Sequence, residues 1–148
     1  MTANSPAAAS TDSTAHSTEI RVPISPGELI DKITILEIKS ERMTDVKKVA
    51  NVRHELSLLT STWQSSAYAA VDIRTEWAAL KGINGALWTI EDEIRDKERD
   101  RQFDARFIEL ARAVYVTNDE RAAVKRKIND KLGSKIVEEK SYAEYKGS

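Results

Sequence analysis

Residues Ser25–Arg42 read SPGELIDKITILEIKSER, and the placement of apolar side chains within them decides the fold. Ser25 is an N-cap residue, Pro26 suits the first helical position, and Glu28 stands where a capping box places its carboxylate. A helix is predicted from there to about Arg42. Leu29, Ile33 and Leu36 mark one face, while Ile35 and Ile38 lie nearly opposite. A surface helix needs one apolar stripe. Two opposed sets predict a helix contacted from two sides.

Upstream, Glu19–Ser25 (EIRVPIS) alternates Ile20, Val22 and Ile24 to one side, which makes it a short N-terminal strand candidate, confined to an edge by Pro23. Residues 1–18 are mostly Ala, Ser and Thr, with Asp12 as the only formal charge. They read as a disordered tail before a single domain over 19–148. They have neither the basic start nor the apolar stretch of a secretory signal, so a cytoplasmic protein is expected.

Downstream, Thr44 or Asp45 caps a second helix of about Val46–Thr62, with Val49, Val52, Leu56, Leu59 and Trp63 at helical spacing. Ser61–Tyr68 reads as a loop. A third helix is predicted over about Ala70–Arg99, with Ile73, Trp77, Leu80, Leu87 and Ile94 as its stripe, widened by Ile83 and Ile90. Asp104 caps a fourth helix, and Phe103 with Ile108 matches a hydrophobic staple. The stripe Phe107, Leu110, Val114, Thr117, Arg121, Val124, Ile128 keeps its spacing to Leu132, and Gly133 supplies the C-cap. Thr117-Asn118-Asp119-Glu120 also matches a capping box, so a new helix could start there; the unbroken stripe favours continuity. Ser134–Ser148 reads as irregular, with Ile136 and Val137 as a second strand candidate. The expected fold class is all-α, an antiparallel bundle of about four helices.

Composition narrows the chemistry. With no cysteine and two histidines in 148 residues, disulfides, thiol catalysis and His-rich metal sites are excluded. No apolar run approaches the roughly 18 residues of a membrane span. The formal charge of −1 sets up no field for nucleic acid, and the basic run Arg121, Lys125, Arg126, Lys127, Lys131 lacks interleaved aromatics. Neither nucleic acid nor membrane is an expected partner, and no cofactor is implied. The acidic run Glu91, Asp92, Glu93 and Asp96 has no upstream pair of glutamates three apart, so it reads as a solvated face rather than a metal site.

Polar residues on core-facing stripes are the remaining candidates. They are Glu37 on the first helix, Asn84, Trp88, Glu91 and Arg95 on the third, and Thr117 and Arg121 on the fourth. If the third and fourth helices form a hairpin, Trp88 lies level with Thr117 and Asn84 with Arg121. A half-buried arginine then requires a carboxylate or a π face, and Glu37, Glu91 and Trp88 are the partners at hand. Such a layer either sets helix register or binds a small anionic or polyhydroxyl ligand, with the arginines gripping acid groups and Trp88 stacking.

From Val22 onward the chain resembles an uncharacterised bacterial family, a domain of unknown function. The likeness rests on VPISPGELIDKITILEIKSERM, NVRHEL, LWTIEDEIRDKE, FIELARAVYVTNDERAAVKRKIN and GSKIVEEKSY, and covers about 120 residues. Members of that family are similar to proteins encoded among surface-polysaccharide and glycosyltransferase genes, which implies a carbohydrate context and names no activity. The expected function is therefore a non-catalytic accessory protein that forms a homodimer or docks a polysaccharide-pathway protein through its helices. The alternative is a ligand binder or enzyme built on the polar layer.

Overall fold

The computed structural model describes residues 18–147. The tail expected over 1–18 lies, apart from Thr18, outside them. Four helices follow in order: α1 (Pro26–Arg42), α2 (Val46–Gln64), α3 (Arg74–Arg99) and α4 (Ala105–Leu132), with a 3₁₀ turn at Ala67–Ala70. The all-α class stands. Among the described residues no strand forms, which corrects both strand candidates. Glu19–Ile24 is exposed chain with no neighbouring strand to complete a ladder, and Ile136 and Val137 belong to an irregular strap.

Helix α1 is the hub. Ser25 Oγ accepts from the Glu28 N–H at 3.2 Å, as the cap requires. The second half of the capping box is not made, because the Glu28 carboxylate accepts from Lys125 instead. Leu29, Ile30, Ile33, Leu36 and Ile38 are all buried, and α1 touches each of the other three helices. The two-sided apolar pattern has this physical outcome: α1 is roofed by α2 and seated on the α3–α4 hairpin. Ile30 and Ile33 meet Trp63 of α2, Leu80 of α3 and Ile128 and Leu132 of α4 in one cluster. Trp63 also meets Trp77 edge to face at 6.0 Å, a favoured aromatic geometry.

Boundaries differ from expectation between α2 and α3. Helix α2 runs two residues further, to Gln64, so that Trp63 lies within its last turn. Helix α3 starts at Arg74, later than the pattern suggested, because Val71 closes the 3₁₀ turn onto Tyr68 and Asp72 accepts from the Arg74 N–H. The hairpin turn is a Schellman motif, with Gln102 N–H donating to Lys97 and Arg101 N–H to Glu98, and Arg101 left-handed at φ 52°. Asp104 caps α4 by accepting from Phe107 N–H. The Phe103 ring packs edge to face on Phe107 at 5.1 Å, while Ile108 is exposed. Helix α4 is continuous through Thr117–Glu120 and ends at Gly133, φ 66°.

After Gly133 the chain turns back along α4 as a strap. Glu138 reaches Lys125 at 2.9 Å, Lys140 stands 4.0 Å from Asp119, and Tyr145 meets Tyr115 edge to face at 5.0 Å.

Close approach of α1 to α4 depends on Gly27. A Cβ there would stand 2.6 Å from the Lys125 carbonyl and 2.8 Å from Asn129 Oδ1. Gly82 of α3 has nothing within 4 Å of such a carbon. Gly27→Ala is therefore expected to lose about 1–3 kcal/mol through overpacking, and Gly82→Ala to gain up to about 1 kcal/mol from helix propensity. Urea denaturation of the two variants checks both signs.

Candidate functional site

A polar seam crosses the interior where α1 lies on the hairpin. Asn129 Oδ1 accepts from Gly27 N–H at 2.7 Å, so a side chain of α4 satisfies one of the free donors at the start of α1. Asn84 Nδ2 of α3 donates to Asp31 Oδ1 at 2.9 Å and to Thr34 Oγ1 at 3.1 Å. Lys125 Nζ, its side chain only 7% exposed, is 2.6 Å from Glu28, 2.9 Å from Glu138 and 3.8 Å from Asp31. Burial pushes the Glu28 carboxyl up; the Lys125 hydrogen bond and the charges of Lys125, Lys32 and Arg121 outweigh it and hold it below its usual range. Burial likewise pushes Lys125 down, and its bonds to Glu28 and Glu138 and the charges of Glu28 and Asp31 outweigh that.

The seven expected site residues do not form one layer. Glu37 belongs to the opposite side of α1, where it accepts from Trp77 Nε1 at 2.9 Å and pairs with Lys81 at 3.4 Å. It is no partner of Arg121, because α1 turns that side toward the start of α3. Asn84 joins the buried seam and also lines a depression. Arg95 is 77% exposed and pairs with Glu91 at 3.2 Å, one turn away. Thr117 is half-buried within α4 and does not line the depression.

What the hairpin does bring together is Asn84, Trp88, Glu91 and Arg121, with Asn118, Asp92 and Ile35, around an open ledge of about 490 Å³. The expected register was right to within a turn, with Asn118 in place of Thr117. The Arg121 partner was not: among the described residues its guanidinium makes no hydrogen bond or ion pair within 4 Å, and its attraction to Glu28 acts at longer range.

Asp31, Lys125 and Asn129 carry the seam and were not singled out from the sequence. Lys125 looked like one cation in a basic run. The available signal was the ridge Arg121, Lys125, Asn129 at four-residue spacing, one step beside the apolar stripe. No group of three or more His, Asp or Glu among the described residues is arranged to hold a metal ion, and no described helix is long and apolar enough to cross a membrane.

Past the ledge, α3 and α4 continue as a two-helix arm. Helix α1 ends at Arg42, whose guanidinium reaches Gly85 and Thr89 at 3.4 and 3.5 Å. Residues 90–117 make no hydrogen bond or ion pair to α1 or α2 among the described residues. Of the arm's large apolar side chains only Leu110, 2% exposed, is buried. Ile90, Ile94, Phe107 and Val114 are half-exposed, and Phe103 and Ile108 are 55% and 57% exposed.

A bundle with these motifs defines a family of all-α proteins. The chain belongs to the DUF6165 family of unknown function, whose model matches residues 20–146. No curated protein and no solved structure matches the chain.

The interior cation is thus Lys125, and Arg121 is half-buried at the ledge without a partner among the described residues. Lys125→Met strands the Glu28 and Asp31 carboxylates and is expected to cost about 3–5 kcal/mol. Arg121→Ala, which breaks no pair, is expected to cost under about 0.5 kcal/mol; chemical denaturation separates the two. Because the Glu28 carboxyl lies lower in the folded than in the unfolded chain, its contribution is complete above the ordinary value of 4.5 and is lost as pH falls through the folded value. Stability measured from pH 6 downward should fall less steeply in Glu28→Gln than in the native chain.

Proposed function

We propose that this protein is a non-catalytic accessory protein that works by association, and that its contact surface is the α3–α4 arm. One observation carries the reading: a two-helix arm whose nine large apolar side chains leave only Leu110 fully buried. Helices in proteins draw most of their stability from packing an apolar face, and a stable layer needs a second one across it. Among the described residues the arm has the first layer and lacks the second.

A second copy of this chain fits as the partner. Two antiparallel helix pairs laid face to face make a four-helix bundle, the ordinary way to close such a surface, and the two-fold arrangement is the commonest in homo-oligomers. The arm's charges fit a copy of itself better than a strongly charged partner. Glu91 with Arg95, Asp96 with Arg99, and Glu93 with Arg106 are neutralised within the chain, so the surface between them is close to uncharged. Lys125 supports the non-catalytic side of the reading, because Glu28, Asp31 and Glu138 already occupy it. The setting proposed, a bacterial one beside surface-polysaccharide synthesis, rests on the family resemblance of the sequence alone.

Light scattering on the eluting protein is expected to give twice the 16.6 kDa chain mass. Ile94→Glu together with Val114→Glu should return it to a single chain with helical circular dichroism unchanged. A mass that stays at one chain across a hundredfold range of concentration overturns the reading.

A further inference from the structure

We infer that the ledge between α1, α3 and α4 is a binding site for a small hydroxylated ring acid, with Arg121 holding the acid and Trp88 lying against the ring. The inference goes beyond the association proposed above and rests on a different surface, which shares only Glu91 and Asp92 with the arm. Arg121 is the decisive residue. Its guanidinium offers five donors in a planar fork suited to a carboxylate and finds no acceptor among the described residues, and the residue as a whole is half-buried. Three other enclosed cations, Lys81, Lys97 and Lys125, each have a carboxylate within 3 Å; Lys39 at the end of α1 is half-buried without one among the described residues, but lines no ledge with other unspent donors.

Two further donors share the ledge without partners among the described residues, the Trp88 indole N–H and the Asn118 amide. Trp88 differs in this from Trp77, whose N–H is spent on Glu37. The space of about 490 Å³ is within the range of small-molecule sites.

The acidic neighbours define the rest of the ligand. Glu91 and Asp92 line the same ledge, and Glu28 lies near enough to Arg121 for each to feel the other's charge. Glu91 and Glu28 are already paired, with Arg95 and Lys125, but Asp92 has no ion pair among the described residues, so a multiply charged anion would meet its repulsion. A ligand with one negative end, seated on Arg121, and hydroxyls elsewhere would instead donate to Glu91 and Asp92 and accept from Asn118. The site therefore favours a monoanion on a hydroxylated ring over a free phosphate.

The test follows the tryptophan indole N–H signals of the full chain by ¹H–¹⁵N correlation, with Trp88→Phe assigning the one at the ledge. Glucuronate and quinate, a sugar acid and a carbocyclic acid, serve as probes; inorganic phosphate and glucose lack one half of the required chemistry. The Trp88 signal is expected to shift saturably with at least one ring acid while those of Trp63 and Trp77 stay in place. Phosphate and glucose should bind at least tenfold more weakly, and Arg121→Gln should raise the Kd at least tenfold. Should Arg121→Gln fail to fold, Arg121→Lys keeps the charge without the fork and is expected to weaken binding as well. The paired Ile94→Glu and Val114→Glu variant should bind as the native chain does, which keeps this result separate from association. No saturable shift with either acid, an unchanged Kd in the Arg121 variant, or equal binding of phosphate or glucose overturns the inference.

Discussion

The short polar seam under α1 is the contact on which the other packing depends. Asn129 from α4 holds the Gly27 N–H, Asn84 from α3 holds Asp31 and Thr34, and Lys125 joins Glu28 and Asp31 to the strap through Glu138. Apolar burial drives the helices together but is indifferent to rotation and sliding. Hydrogen bonds and charges that would be left unpaired by a shifted register are not indifferent, because each stranded group carries a desolvation penalty. The seam therefore selects one placement of α1 on the hairpin, and Gly27 is small because that placement brings it against the α4 backbone.

The position of α1 divides the hairpin into two parts. At one end, α1 and α2 complete a core around Ile30, Ile33, Leu80 and Ile128. At the other, α3 and α4 run on beyond the reach of α1 and α2, joined across their length by Glu93–Arg106 and Lys97–Asp104. The ledge lies at the step between them, where Ile35 of α1 borders Trp88, Asn118 and Arg121. Arm and ledge thus have one structural origin: α1 is 17 residues long and the helices beneath it are 26 and 28. A short helix laid on a long pair leaves both an exposed end and an open corner.

The helices, their caps and their order were legible in the chain itself. Ser25, Asp45, Asp104 and Gly133 act where their side chains or backbone freedom suggested, and the opposed isoleucines of α1 foretold a helix enclosed on both sides. These are local properties: capping is a matter of three or four residues, and periodicity is set by the turn of the helix. The strand candidates failed for the complementary reason, since a strand needs a neighbour that alternation within one segment does not supply.

Pairings across helices were decided by the tertiary structure. Glu37 and Arg121 both sit on polar breaks in apolar stripes, yet the rotation of α1 gives Glu37 to Trp77 and leaves Arg121 at the ledge. Lys125 and Arg126 are neighbours in a run of cations, and one is buried among three carboxylates while the other is exposed. A one-residue step on a helix turns a side chain by about 100°, so which of two adjacent cations is enclosed depends on how the helices are rotated against one another. That rotation is a property of the packed assembly and is written in no single segment.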